Sequence, residues 1–128
     1  MPCVLCIDDN RDVLASVADV LQNSGYSTLT ANSGSEGLRL LRSASVDVVV
    51  LDYEMPHMNG DVVAQAIRRH KPRLPIILFT GAPDHVPERL RQEVNVVIYK
   101  ADFAGLLGAV EKLVERPAEK KAPNGIGG

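Results

Sequence analysis

The stretch that most constrains this chain is 46–52, VDVVVLD, in which a run of β-branched residues ends in Leu51 and is closed by an acid, Asp52. A continuous apolar run this short suits a strand covered on both faces, as in a parallel sheet. A carboxylate closing such a strand is costly to bury, so it is expected to emerge at the sheet edge, in a crevice. Met55-Pro56, a short polar turn and Asn59-Gly60 follow, and a helical pattern begins there. Taken alone, Asp52 could equally be a solvated acid at a strand end.

The rest of the chain repeats this strand-then-helix alternation. Cys3–Ile7 reads as a first strand, ending at Asp8-Asp9. Asn10 is a good cap for a helix carrying Val13, Leu14, Val17, Val20 and Leu21 and stopping at Gly25. Tyr26–Ala31 reads as a more polar strand, suited to an edge. Ser33-Gly34-Ser35-Glu36 has the form of a capping box for a second helix that runs to about Ala44. Asp61–His70 predicts a third helix with Val62, Val63, Ala66 and Ile67 on its buried face, stopped by Pro72. Pro75–Thr80 is a fourth strand, Val86–Glu93 a brief helix, and Val94–Tyr99 a fifth strand ending at Lys100. Asp102 caps a last helix with Phe103, Leu106, Leu107, Val110, Leu113 and Val114 on its stripe. From Pro117 the chain reads PAEKKAPNGIGG, too poor in apolar residues to pack, and a disordered tail is expected over 117–128 after one domain over 1–116.

Strands and helices that alternate through short loops describe a doubly wound, flavodoxin-like α/β fold. The expected sheet is five-stranded and parallel in the order 2-1-3-4-5, with five helices, although a Rossmann order is not distinguishable from sequence. Composition is that of an ordinary globular domain, 45% hydrophobic and 23% charged. A net charge of −2, with Lys120-Lys121 too short to count as a basic run, gives no footprint for direct nucleic-acid or membrane binding. With no signal peptide or spanning stretch evident, a cytoplasmic protein is expected. Cys3 and Cys6 match C-x-x-C, but on a strand that spacing turns the thiols to opposite faces, so they read as small core residues.

The chemistry collects at the strand ends. Strand one contributes Asp8 and Asp9, strand three Asp52, strand four Thr80 and strand five Lys100. In the order 2-1-3-4-5 these strands are consecutive neighbours at about 4.8 Å, so all of these residues face one crevice at the switch point. Clustered carboxylates repel one another unless a cation joins them, and Mg2+ suits carboxylates together with phosphate oxygens. Asp52, the most central acid, is the candidate nucleophile for an acyl-phosphate, with Thr80 and Lys100 placed to hold phosphoryl oxygens.

With Asp8-Asp9, the D-x-x-M-P-x-x-x-G segment Asp52–Gly60, Thr80-Gly81 and Lys100 in order, the chain resembles a receiver domain of bacterial two-component response regulators over Cys3 to about Arg116. The resemblance implies that Asp52 is phosphorylated from a histidine kinase or a phosphotransfer protein. It implies Mg2+ held by Asp8 or Asp9, by Asp52 and by the main-chain carbonyl of Glu54. It further implies phosphoryl contacts from Thr80 and Lys100, and hydrolysis by the domain of its own acyl-phosphate. A repacking of the helix 4, strand 5 and helix 5 surface would then control a downstream partner. Such a protein is a signalling phosphoacceptor rather than an enzyme acting on an outside substrate.

Two positions depart from the family. Ala101 follows Lys100 where relatives usually have a proline in cis, so a trans bond is expected. Val97 stands where relatives usually carry a switch aromatic, and Tyr99 lies on the same strand face, nearer the site. Glu54 occupies a position the family uses to tune phosphate lifetime. Two rival readings are a degenerate receiver that only docks, and an aspartyl-phosphate phosphatase faintly echoed by Asp52-Tyr53-Glu54.

Overall fold

The computed structural model describes residues 1–121. Five parallel strands form one sheet in the order β2-β1-β3-β4-β5. They are β1 (Cys3–Ile7), β2 (Ser27–Ala31), β3 (Val48–Leu51), β4 (Ile76–Thr80) and β5 (Val96–Tyr99). The helices are α1 (Arg11–Asn23), α2 (Gly34–Ser43), α3 (Gly60–His70), α4 (Glu88–Glu93) and α5 (Phe103–Lys121), with a 3-10 turn at Pro83–His85 before α4. This is the flavodoxin-like order expected from the alternation of patterns.

Side chains alternate across each strand, which divides the core into two layers. Leu5, Ile7, Val49, Leu51, Ile76 and Leu78 pack with Leu41 of α2, Val63 and Ile67 of α3 and Leu90 of α4. Val4, Cys6, Val48, Val50, Ile77 and Phe79 pack with Leu14, Val17 and Leu21 of α1 and Leu106, Val110 and Leu113 of α5. Phe79 meets Phe103 edge-on, ring centroids 5.7 Å apart. Because β3 and β4 are covered on both faces, every residue in them is buried. The edge strand β2 is only partly covered, as its Thr-rich sequence predicts.

Helix boundaries follow local chemistry. Asn10 caps α1 by accepting from the backbone N–H groups of Asp12 and Val13, and Ser33 caps α2 by accepting from Glu36 N–H. Gly25, at φ 95°, supplies the left-handed step that turns the chain out of α1 into β2. The Arg68 guanidinium donates to the carbonyl of Leu74 and, at 3.0 Å, to Asn95 Oδ1, which also accepts from Ile76 N–H. That network pins the end of α3 to the starts of β4 and β5.

Three differences from the sequence expectation go beyond shifts of one or two residues at element ends. Val62 is 49% exposed and Ala66 only partly covered, whereas Val63 and Ile67 are buried as expected, together with Ala64. The expected fourth helix at Val86–Glu93 is trimmed to the six residues of α4, and a 3-10 turn at Pro83–His85 precedes it. Helix α5 continues to Lys121, past the expected domain end at 116, and the rest of the expected tail, 122–128, lies outside the described residues.

Candidate functional site

Four of the five strands deliver a polar residue to the same end of the sheet, and backbone hydrogen bonds fix the register of that delivery. Asp52 N–H donates to Ile7 O at 2.9 Å, which sets the end of β3 beside the end of β1. Lys100 N–H donates to Thr80 O at 2.8 Å and does the same for β5 and β4. Asp8 N–H donates to Ala31 O, and Asp8 Oδ1 accepts from Asn10 N–H at 2.9 Å, so the acid is held by the turn that opens α1.

Carboxylate oxygens of Asp8, Asp9 and Asp52 lie within 4.8 Å of one another. Asp8 and Asp52 are buried, at 4% and 5% exposure, whereas Asp9 is exposed. Lys100 Nζ stands between the two buried acids, 2.8 Å from Asp8 Oδ2 and 3.1 Å from Asp52 Oδ1. One ammonium therefore faces three acids, and the site retains excess negative charge. Burial, with the negative charge of Asp8 next, pushes the Asp52 carboxyl up to about 6 even though Lys100 pulls the other way. Burial works against the Lys100 charge, but its hydrogen bonds and attraction to Asp8 and Asp52 outweigh that and raise its pKa. A cluster of oxygen donors with uncompensated negative charge, one of them exposed, fits a hard divalent cation that keeps part of its water shell.

The loop from β3 to α3 is shaped around Asp52. Gly60 N–H donates to Tyr53 O at 2.7 Å, and a Cβ on Gly60 would stand 2.5 Å from Asp52 O and 2.8 Å from Tyr53 Cα. Only glycine lets α3 start this close to the backbone of Asp52 and Tyr53. Met58 N–H donates to Pro56 O across His57, whose φ is 70°, a γ-turn that reverses the chain within three residues. Met55 is buried in the core, and Met58 packs against it.

The structure brings Asp8, Asp9, Asp52 and Lys100 together as the sequence predicts. Thr80 lies at the end of β4, 2% exposed, and its hydroxyl accepts from Ala82 N–H at 3.1 Å. Glu54 is exposed in the loop, outside the three-acid cluster. Sequence reasoning missed the roles of Asn10 N–H as a donor to Asp8 and of Gly60 as a close-approach residue; the fixed offset of each from its acid was the available signal.

The family model for the response regulator receiver domain matches residues 4–111, most of the chain. The protein belongs to the receiver family. Among its relatives is the transcriptional regulatory protein GlrR of Escherichia coli, 31% identical over 118 residues. That match takes in 90% of this chain but only 27% of GlrR, so this receiver spans about a quarter of that relative's length. The receiver is also similar to the response regulator TrrA of Thermotoga maritima, solved with Mg2+ and BeF, at 32% identity and a TM-score of 0.84, covering 88% of this chain and 99% of that one. TrrA solved with the histidine kinase ThkA matches at 32% identity and a TM-score of 0.82, covering 88% of this chain and 98% of TrrA.

In this receiver the family's departures lie on the β5 side. The described peptide bonds include none in cis, in keeping with the trans Lys100–Ala101 bond expected without a proline. Val97 is half-buried against the α4-side core, while Tyr99, paired in register with Thr80, is 53% exposed. No described helix is long and apolar enough to cross a membrane.

Proposed function

We propose that this receiver accepts a phosphoryl group on Asp52 from a histidine kinase or a phosphotransfer protein, and that it removes that group by hydrolysis. The observation that carries the reading is Lys100 Nζ bridging Asp8 and Asp52 inside a three-acid cluster. In the transfer, a carboxylate oxygen of Asp52 forms the new O–P bond as the N–P bond of the donor phosphohistidine breaks, and the imidazole recovers a proton. In hydrolysis, water attacks the phosphorus and the Asp52 carboxylate leaves.

Mg2+, held by Asp8, Asp9, Asp52 and the main-chain carbonyl of Glu54, would supply the positive charge that lets an anionic carboxylate meet an anionic phosphoryl group. The chain's own residues do the rest. Lys100 is already aimed at the acceptor oxygen and can follow the charge onto the phosphoryl oxygens. The Thr80 hydroxyl, now an acceptor for Ala82 N–H, is free to donate its own proton toward a phosphoryl oxygen. Movement of Thr80 would change the packing of α4, β5 and α5, and through that surface a downstream protein. A cytoplasmic setting and a receiver domain closed by α5 belong to this reading.

The test is intact mass after incubation with Mg2+ and a small-molecule phosphodonor, alongside Asp52→Asn. The expected result is one phosphoryl group added to the wild type, and none in the variant or without Mg2+. A folded protein that neither gains the group nor binds Mg2+ would overturn this reading in favour of a docking-only receiver.

A further inference from the structure

A second feature lies at the opposite edge of the sheet from the acid crevice. Helices α2 and α3 both end there, since each leads into the start of the next strand. Residues 38–46 contribute Arg39 and Arg42, and residues 66–74 contribute Arg68, Arg69, Lys71 and Arg73, with no acid in either stretch. The fold brings Arg42, His70 and Lys71 from these two stretches to the rim of one hollow. Arg68 is occupied by Leu74 O and Asn95, and Arg39 lies 3.7 Å from Glu36.

Between the two helices is an apolar slot of about 60 Å³, lined by Leu38, Leu41, Ala66 and Ile67 and rimmed by Arg42, His70 and Lys71. Its floor is core, Leu41 and Ile67 being buried, while Leu38 and Ala66 are only partly covered. Helix dipoles account for cations in a last turn. They do not account for an open apolar hollow in the middle of those cations.

We propose that this slot docks an acidic segment of a partner protein, seating one aliphatic side chain between α2 and α3 while neighbouring carboxylates pair with Arg42 and Lys71. Charge complementarity selects the acidic partner, and the slot's size and apolar floor select an aliphatic anchor. A nucleic acid is disfavoured because the floor is aliphatic and the lining has a single ring, His70, on its rim. A membrane is disfavoured because the feature is concave, with no apolar side chain standing out to insert. The site shares no residue with the acid crevice.

The experiment selects random displayed peptides against the full chain, then titrates the enriched peptide into isotopically labelled protein. Enriched peptides should carry Leu, Ile or Val within a turn of Asp or Glu, and should shift the amide signals of Leu38–Arg42 and Ala66–Lys71. Affinity should fall about tenfold in the exposed charge reversal Arg42→Glu/Lys71→Glu, and should weaken with salt. It should fall by a similar factor, again about tenfold, in Ala66→Met, which fills the slot without changing charge. Selection of peptides lacking that pattern, or shifts mapping elsewhere, would overturn the proposal. So would tighter binding of a short DNA duplex or of phosphatidylglycerol vesicles that the charge reversal abolishes and Ala66→Met leaves intact. Concentration-dependent dimerisation lost in both variants would assign the slot to a second copy of the chain and overturn it equally.

Discussion

The acid crevice and the α4–β5 flank lie side by side on one sheet, yet they are held in different ways. The four residues of β3, which leads into Asp52, are at most 4% exposed, whereas Val96, Val97 and Ile98 of β5 are half-buried and Tyr99 is exposed. Helix α3 runs for eleven residues and buries Gly60, Val63, Ala64 and Ile67. Helix α4 has six residues, buries only Leu90, and starts at Pro87 with no side-chain cap. Strained or costly groups need surroundings that over-determine them, and the crevice provides this through backbone contacts. The surface that the proposed switch would move belongs to the less tightly held part of the fold, where α4 and β5 lie.

The sharpest way to break this contrast is Gly60→Ala. The added Cβ meets two backbone atoms, Asp52 O and Tyr53 Cα, and neither can swing aside as a side-chain tip could. A loss of about 2–3 kcal/mol in urea-melt stability is expected, at the upper end for overpacking. A loss below about 0.5 kcal/mol would mean that the acceptor loop yields easily, and the crevice would then be no stiffer than the flank.

A smaller effect comes from the acceptor itself. The Asp52 carboxyl titrates at about 6 when folded, against 3.8 as its ordinary value. The folded state therefore binds more protons than the unfolded one between those values, and stability falls as pH rises through that window. Asp52→Asn removes the buried charge at nearly constant shape. Without metal, the variant should be more stable than wild type by about 1–3 kcal/mol at pH 7, with the difference closing near pH 4. Thermal melts across that range check it, and a variant less stable at pH 7 would show that the Lys100 contact outweighs the burial of the charge.

The crevice was more legible in the sequence than the flank, for the same physical reason. Strands covered on both faces write themselves as unbroken apolar runs, so Val48–Leu51 and Ile76–Thr80 stand out, and the polar residue that ends each run marks the site. Asp8, Asp52 and Lys100 were readable in this way because strand order alone brings them together. Amphipathic position is weaker information near a helix start, where Val62 was expected inside and is 49% exposed. The 3-10 turn at Pro83–His85 was not readable either, since it lies ahead of the helical pattern of 86–93 and a proline at 83 does not fix how that loop closes. The slot between α2 and α3 needed the fold, because it joins residues nearly thirty positions apart.

The mildest test falls on the flank. Arg89 Nη2 of α4 lies 3.2 Å from Asp61 Oδ2 of α3, but the arginine side chain is 67% exposed. An exposed pair of this kind contributes about 0.2–0.5 kcal/mol, so Arg89→Ala should barely move the urea midpoint. Its effect should appear instead in hydrogen exchange, where the amides of Leu90 and Arg91, which donate to Pro87 O, open with α4. Those amides are expected to exchange faster in the variant, by about twofold, while those of Ile67 and Arg68 in α3 keep their rates. If α4 is held chiefly by Val86 and Leu90 against the core, that small local change is all that the ion pair can produce. A loss above 1 kcal/mol in global stability, or faster exchange in both helices, would mean that α4 opens together with α3, and the flank could not move while the crevice stays fixed.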